Sequence, residues 1–257
     1  MRRITLALTA LIFCIISGTL LGLVLYSPLP VLLASFSSPE IRFAIGLSLV
    51  TSVISTLLCL IVAVPVAYAL ARYTFKGKRL VTLVLTLPLT LPPLVAGIAL
   101  LLFFGSTPWG KALESAGFAV IFTPLGIVVA QVFVNLPYMV RIMRSAFVAI
   151  NPRYEYVAKT LGCTDSSAFF QVALPMARHG LLAGTVITWS KAMGEFGAVL
   201  MLAGVTMMRT ETLPIALYLN ISTGEVDLAV AAATILILIA LATLCIVEYF
   251  DRDVNVF

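Results

Sequence analysis

Two groups of residues in this sequence could do chemistry, and both sit in apolar surroundings. The first is Lys191 and Glu195 in WSKAMGEFGAVLMLAG, opposite charges four residues apart inside a long apolar run. On a helix such a pair shares one face, a turn apart. An isolated charge at the centre of a bilayer costs about 2.5–3.5 kcal/mol on insertion scales. Two arrangements relieve that cost: a self-paired bridge inside a bundle, or a place beside an aqueous path where Lys191 can meet an anion. The residues alone leave both open. The second group is NPRYEYVAKTLGCTDSSAFFQVALP, residues 151–175, which carries Arg153, Glu155, Lys159 and Asp165. These types suit recognition of another surface rather than bond making.

Catalysis and metal binding find little support elsewhere. His179 is the single histidine. Cys14, Cys59, Cys163 and Cys245 show neither metal-ligand nor disulfide-framework spacing. Gly105-Ser-Thr-Pro-Trp-Gly110-Lys111-Ala112 imitates a phosphate loop but lacks the final Ser or Thr hydroxyl that would hold Mg²⁺. A membrane-embedded enzyme would need a catalytic constellation that one histidine and no acidic cluster within the apolar runs do not provide.

The elements that must position these residues follow from composition. Of 257 residues 61% are hydrophobic and 11% charged, and the mean hydropathy is +1.14. A soluble domain would carry roughly a quarter charged residues. Six apolar segments, near 4–26, 43–71, 80–104, 118–140, 179–204 and 228–247, reach the length of a membrane span. Lipid offers backbone amides no partner, so each must be helical; the alternation of a transmembrane barrel is not visible. The expected fold class is all-α: a polytopic membrane protein of about six transmembrane helices, one transmembrane domain over 1–257.

Charge sets the orientation. With the N-terminus inside, Arg2, Arg3, Arg72, Lys76, Lys78, Arg79, Arg141, Arg144, Arg153, Lys159, Arg178 and Arg252 are cytoplasmic, against Arg42, Lys111 and Arg209 outside. The positive-inside rule then places both termini in the cytoplasm. The basic excess is topological, and no nucleic-acid partner is expected. Met1-Arg-Arg and an apolar run of about 23 residues could open a signal peptide, but no A-x-A-type cleavage site follows, so a retained first span is expected. The third span is interrupted by Pro88, Pro92 and Pro93. Prolines disrupt the helix ladder there, giving either a packed kink or an element lining a path. Asn220-Ile221-Ser222 is a chance-level glycosylation sequon, and the Gly18/Gly22 and Gly180/Gly184 pairs suit close helix packing.

The polar stretch reads as two short helices. Asn151 caps the first, Pro152 fits its first turn, and Gly162 is placed as a left-handed stop. Thr164 or Asp165 caps the second, which should end before Pro175 and present Ala168, Phe169 and Val172 as an apolar edge. Residues 163–172 are thus the expected handle. Sparse Lys and Arg in 160–175 and the capped ends speak against a helix lying on the membrane surface.

With its register, this loop resembles that of the permease subunits of ATP-binding-cassette importers, whose pattern is E-A-A-x-x-x-G, a spacer, then I-x-L-P. Nine residues separate Gly162 from Val172-Ala173-Leu174-Pro175, as in that pattern, while Tyr156, Val157 and Ala158 occupy the triplet and Glu155 stands one residue early. GEFGA, Gly194 to Ala198, then LMLAG and RTETLPIALY, together with LPLTLPPLVAGIALL, resemble the molybdate, tungstate and sulfate branch over about residues 43–250. The resemblance implies the type I importer permease fold. It implies a homodimer on two ATP-binding subunits in the plasma membrane, fed with a tetrahedral oxyanion by an external binding protein. Molybdate or tungstate is expected before sulfate. It also implies no cofactor in this chain, ATP and Mg²⁺ being held by the partner ATPase. The coupling loop it points to comprises Glu155, Ala158, Gly162, Cys163, Thr164, Asp165, Ala168, Phe169, Val172, Leu174 and Pro175. The candidate translocation path comprises Pro88, Pro92, Pro93, Lys191, Gly194, Glu195 and Gly197. An ion-coupled secondary transporter or channel is the competing reading, though no internal repeat supports it.

Overall fold

The computed structural model describes residues 2–252, all of them in helices or the turns between them. In chain order the helices are α1 (Arg2–Val24), α2 (Leu29–Phe36), α3 (Pro39–Arg72), α4 (Lys78–Thr86), α5 (Pro93–Ser106), α6 (Pro108–Ser115) and α7 (Pro124–Ala149). There follow α8 (Arg153–Thr160), α9 (Asp165–Ala168), α10 (Leu174–Met176), α11 (Arg178–Met193), α12 (Gly197–Ala203), α13 (Leu213–Thr223) and α14 (Val226–Arg252). Four of these, α1, α3, α7 and α14, are long and apolar enough to cross a membrane. Two bent pairs bring the number to six: Lys78–Leu89 with Pro93–Ser106, bent by 109°, and Arg178–Met193 with Gly197–Ala203, bent by 57°. The all-α polytopic class expected from composition is the one observed.

Helix starts follow local chemistry. Ser38 accepts from the Ile41 N–H at 3.2 Å and Thr123 from the Gly126 N–H at 3.3 Å, each followed by a proline at the first helical position. The Thr123 cap corrects one boundary: the fourth span begins at 124 rather than 118 and runs on to Ala149. Residues just before it form a turn in which Phe122 adopts φ 56° and its N–H donates to Leu202 O at 3.1 Å. Hydropathy could not see that tether.

α3 and α7 both descend from the outer to the cytoplasmic side and form the main packed pair. The buried face of α3 is Ser48, Thr51, Ser52, Ser55, Thr56, Cys59, Ala63 and Ala67, small residues that let a neighbouring backbone approach. Several of their hydroxyls donate to carbonyls of their own helix, Thr51 to Leu47 O at 2.8 Å and Ser55 to Ser52 O at 3.1 Å. In lipid such local satisfaction makes a polar stripe tolerable. Gly180 and Gly184 bring α11 against α7, since a Cβ on either would lie 2.7 Å from Ala146 Cβ or 2.8 Å from Ile142 Cγ2. At Gly18 and Gly22 nothing lies within 4 Å, and α1 has no buried residue. The outer loop near 205–227 holds an element the sequence reading missed. α13 is buried along Leu213, Pro214, Ile215 and Ala216, and its Leu213 N–H donates to Ser48 Oγ at 2.8 Å.

Candidate functional site

The cytoplasmic loop is two short helices joined at Gly162, as its capping residues require. Asn151 Oδ1 accepts from the Arg153 N–H at 3.0 Å, and Thr164 Oγ1 from the Ser167 N–H at 3.2 Å. Gly162 takes φ +98° with open space around it, so the turn needs a glycine for its backbone and not for room. Lys159 and Asp165 pair across the turn at 2.5 Å, and that hydrogen bond holds the exposed ammonium above the usual lysine value.

The second helix does not stop before Pro175. α9 runs through a widened turn at Phe169–Ala173 into α10 and then α11. Such a π-type turn accommodates a proline without ending the chain's helical path. Its apolar edge also faces inward. Ala168 and Ala173 are fully buried, and Phe169 packs edge-on against Tyr68, ring centroids 4.7 Å apart, with Phe147 6.2 Å away. Val172 and Leu174 are half-buried, Cys163 and Ala158 likewise, while Thr164, Asp165 and Pro175 are exposed. Apolar surface is left exposed on α8 and the glycine turn, at Tyr154, Tyr156, Val157 and Leu161, Leu161 to 82%, and on the second helix at Phe170, to 64%.

Glu155 has a different post from the exposed residues around it. It is 4% exposed and accepts from Tyr68 Oη at 2.5 Å and Arg72 Nε at 2.7 Å. Arg72 Nη2 also donates to Ile150 O at 3.0 Å, tying the end of α7 into the same cluster. Charge-assisted bonds of this kind fix orientation as well as supplying energy. Standing one residue before the motif position turns this carboxylate inward, toward α3. Tyr68 and Arg72, spaced by one helical turn on α3, were the missed partners; nothing local in the sequence links them to residue 155.

The two broken spans meet at their breaks. Pro88 lies in a tight turn at Leu87–Leu89, Pro92 precedes α5 and Pro93 opens it. A Cβ on Gly197 would lie 2.9 Å from Pro93 Cβ and 3.1 Å from Leu94 N. One on Gly97 would lie 2.7 Å from Met201 Cβ and 2.9 Å from Ala198 Cα. Glycines are required here because α5 and α12 touch backbone to backbone. Pro92, Pro93, Lys191 and Gly194 are exposed, whereas Glu195 and Gly197 are buried and Pro88 half-buried.

Lys191 and Glu195 do not form the bridge that their spacing allows. Glu195 Oε1 accepts from the Ala198 N–H at 3.2 Å and so caps α12. Lys191 Nζ sits over the Tyr138 ring, 5.0 Å from its centroid, a cation–π contact across to α7. Behind them Gln131 Nε2 donates to Ala192 O at 2.9 Å, pinning the end of α11. Asn135, a turn further along α7, is 1% exposed and its amide meets no partner among the described residues. The pair Gln131 and Asn135, one turn apart in an apolar helix, was the available signal for this polar seam.

Comparison with known proteins accords with this arrangement. Residues 61–256 match the family described as binding-protein-dependent transport system inner membrane component. The molybdenum transport system permease protein ModB of Mycobacterium tuberculosis is 39% identical over 80% of this chain and 78% of its own length. The sulfate transport system permease protein CysW of Synechocystis sp. is 36% identical over 81% of this chain and 76% of its own. The molybdate/tungstate transport system permease protein WtpB of Methanocaldococcus jannaschii is 29% identical over 98% of both. Among solved structures, a bacterial alginate ABC transporter in complex with a pentasaccharide-bound periplasmic protein aligns over 98% of this chain and 93% of its own, with TM-score 0.75 and 19% identity. The MetNI methionine ABC transporter aligns over 82% and 95%, with TM-score 0.63 and 18% identity. These two share the fold. The chain is a multi-pass membrane protein and belongs to the binding-protein-dependent transport family of ABC-importer permeases, transport subunits rather than enzymes.

Proposed function

We propose that this chain is the membrane path of an ATP-driven importer for a tetrahedral oxyanion, molybdate or tungstate before sulfate, in the plasma membrane. Two copies sit on two ATP-binding subunits, and an external binding protein delivers the anion. ATP and Mg²⁺ belong to those ATPase subunits; in this chain the loop at Gly105–Lys111 lies at the junction of α5 and α6, and a Cβ on Gly110 would overlap Phe104 O at 1.9 Å. The observation that carries the reading is the exposed apolar tip of α8 held on a buried ionic anchor. A tip that must push needs a partner-facing surface and a rigid root. Tyr156 and Leu161 provide the first, Glu155 with Arg72 and Tyr68 the second. Closure of the ATPase pair then moves α3 and α11 as rigid bodies through the loop.

The anion path runs where the broken spans meet. Lys191 lies about 20 Å along α11 from its cytoplasmic start, well inside a hydrocarbon core of about 30 Å. An exposed lysine at that depth faces a second copy or a water-filled path and not lipid. The support for an oxyanion is this cation together with the cargo in the names of the ModB, CysW and WtpB relatives. Reconstitution with the ATPase and binding protein in vesicles tests the reading. ATP-dependent uptake of labelled molybdate, competed by tungstate more strongly than by sulfate, is expected. Uptake by this chain alone on an ion gradient would replace it with a secondary transporter.

A further inference from the structure

A groove of about 280 Å³ lies at the cytoplasmic side, between the end of α3, the helix α4 and the lower half of α7. Leu70, Leu85, Val140 and Val148 form its apolar wall, and Arg141 and Arg144 stand on its rim. Neither guanidinium has a hydrogen bond or ion pair among the described residues, although the chain holds eleven carboxylate side chains. The approach to the groove is interfacial in character. Tyr73 and Phe75 are 49% and 44% exposed, Lys76 and Arg79 are exposed beside them, and α4 begins at the left-handed Gly77 with φ +84°. Exposed aromatics followed by cations mark the headgroup level of a bilayer. Basic pockets between helices on the cytoplasmic side suit acidic headgroups over an apolar wall.

We infer that the groove between α4 and α7 binds an anionic phospholipid of the cytoplasmic leaflet, its phosphate between Arg141 and Arg144 and an acyl chain along Leu85, Val140 and Val148. Charge complementarity selects this occupant. A second copy of the chain would bring its own basic cytoplasmic edge to two unpaired arginines. A zwitterionic lipid offers the same phosphate but brings its own ammonium cation to two arginines that have no carboxylate partner among the described residues. A lipid seated there would brace α4, the lower limb of the broken third span, against α7.

The test is native mass spectrometry of the full chain in its ATPase complex, titrated with phosphatidylglycerol and with phosphatidylcholine. Retention of phosphatidylglycerol should exceed that of phosphatidylcholine by about thirtyfold, given two cations at the surface at about 1 kcal/mol each. Arg141→Gln with Arg144→Gln should abolish the preference, and Val148→Trp, which fills the apolar wall while keeping both charges, should reduce retention of both lipids. Equal retention of the two lipids by the unaltered complex overturns the inference. So does a preference that survives the double arginine change, or a cross-link from Val148→Cys to a second copy or to the ATPase in place of lipid. Competition by inorganic phosphate without loss on Val148→Trp would make it a free-anion site and also overturn it.

Discussion

Glu155, Arg72 and Tyr68 form the contact on which the orientation of the cytoplasmic tip depends. Both charged side chains are largely removed from water, Arg72 to 10% and Glu155 to 6% side-chain exposure. Removing one partner of such a pair strands the other, at about 3–5 kcal/mol. Glu155→Gln is therefore expected to lower the unfolding temperature and to weaken ATP-coupled uptake. The double change Arg72→Met with Glu155→Met should recover most of the stability, because neither charge is then stranded. Thermal unfolding of the single and double variants checks this, and two additive losses would refute the paired anchor. On the proposed function Lys191 lines the path: it is exposed, and its Nζ lies over the Tyr138 ring. Lys191→Met should slow translocation while leaving capture by the binding protein and folding unchanged. Uptake kinetics set beside a binding-protein pull-down separate the two, and unchanged uptake would remove Lys191 from the path.

At the scale of elements, the loop divides into residues left exposed and residues packed inward. Leu161→Glu alters an exposed tip and should abolish coupled uptake with the helices intact. Phe169→Asp places a charge against Tyr68 and Phe147 and should cost stability first, about 3 kcal/mol or more by analogy with core aromatic truncation. Circular dichroism on heating with uptake on the same samples distinguishes them; equal thermal loss in both variants would contradict the assignment of faces. The breaks in the third and fifth spans give a second contrast. Gly197→Val should destabilise the α5–α12 contact by about 1–3 kcal/mol, since the new side chain meets Pro93 and the Leu94 backbone. The caps at Asn151 and Thr164, the Gly162 turn and the proline break were legible because each depends on its nearest neighbours. The inward turn of Phe169 and the meeting of Gly197 with Pro93 were not, because both depend on where a distant helix packs. Glu155 lies between these cases: its type and loop were visible, and its partners on α3 were not.

For the whole molecule, three of the packed clusters link the loop, the broken spans and the later helices to the frame. At the cytoplasmic side Tyr68, Phe147, Ala173 and Leu181 join the loop to α3, α7 and α11. In a second cluster Ala96, Leu100, Ile127, Ala198 and Leu202 join the two broken spans to α7. In a third, Ile41, Met193, Leu213 and Ala232 bind α13 and α14 to the frame. α7 belongs to the first two regions and α11 reaches both ends, so a push at the loop has a continuous rigid route to the breaks. The six-span count was visible in hydropathy because lipid imposes length on every helix. The two bends were visible only as prolines and glycines of uncertain purpose, since a bend direction is set by packing. Photo-cross-linking from position 161, using a Leu161→Cys derivative in the assembled complex within a bilayer, tests the central claim most directly. The account predicts cross-links to the ATP-binding subunit that change in yield with ATP. Cross-links to lipid alone, unchanged by nucleotide, would contradict it and leave α8 as a helix resting on the membrane surface.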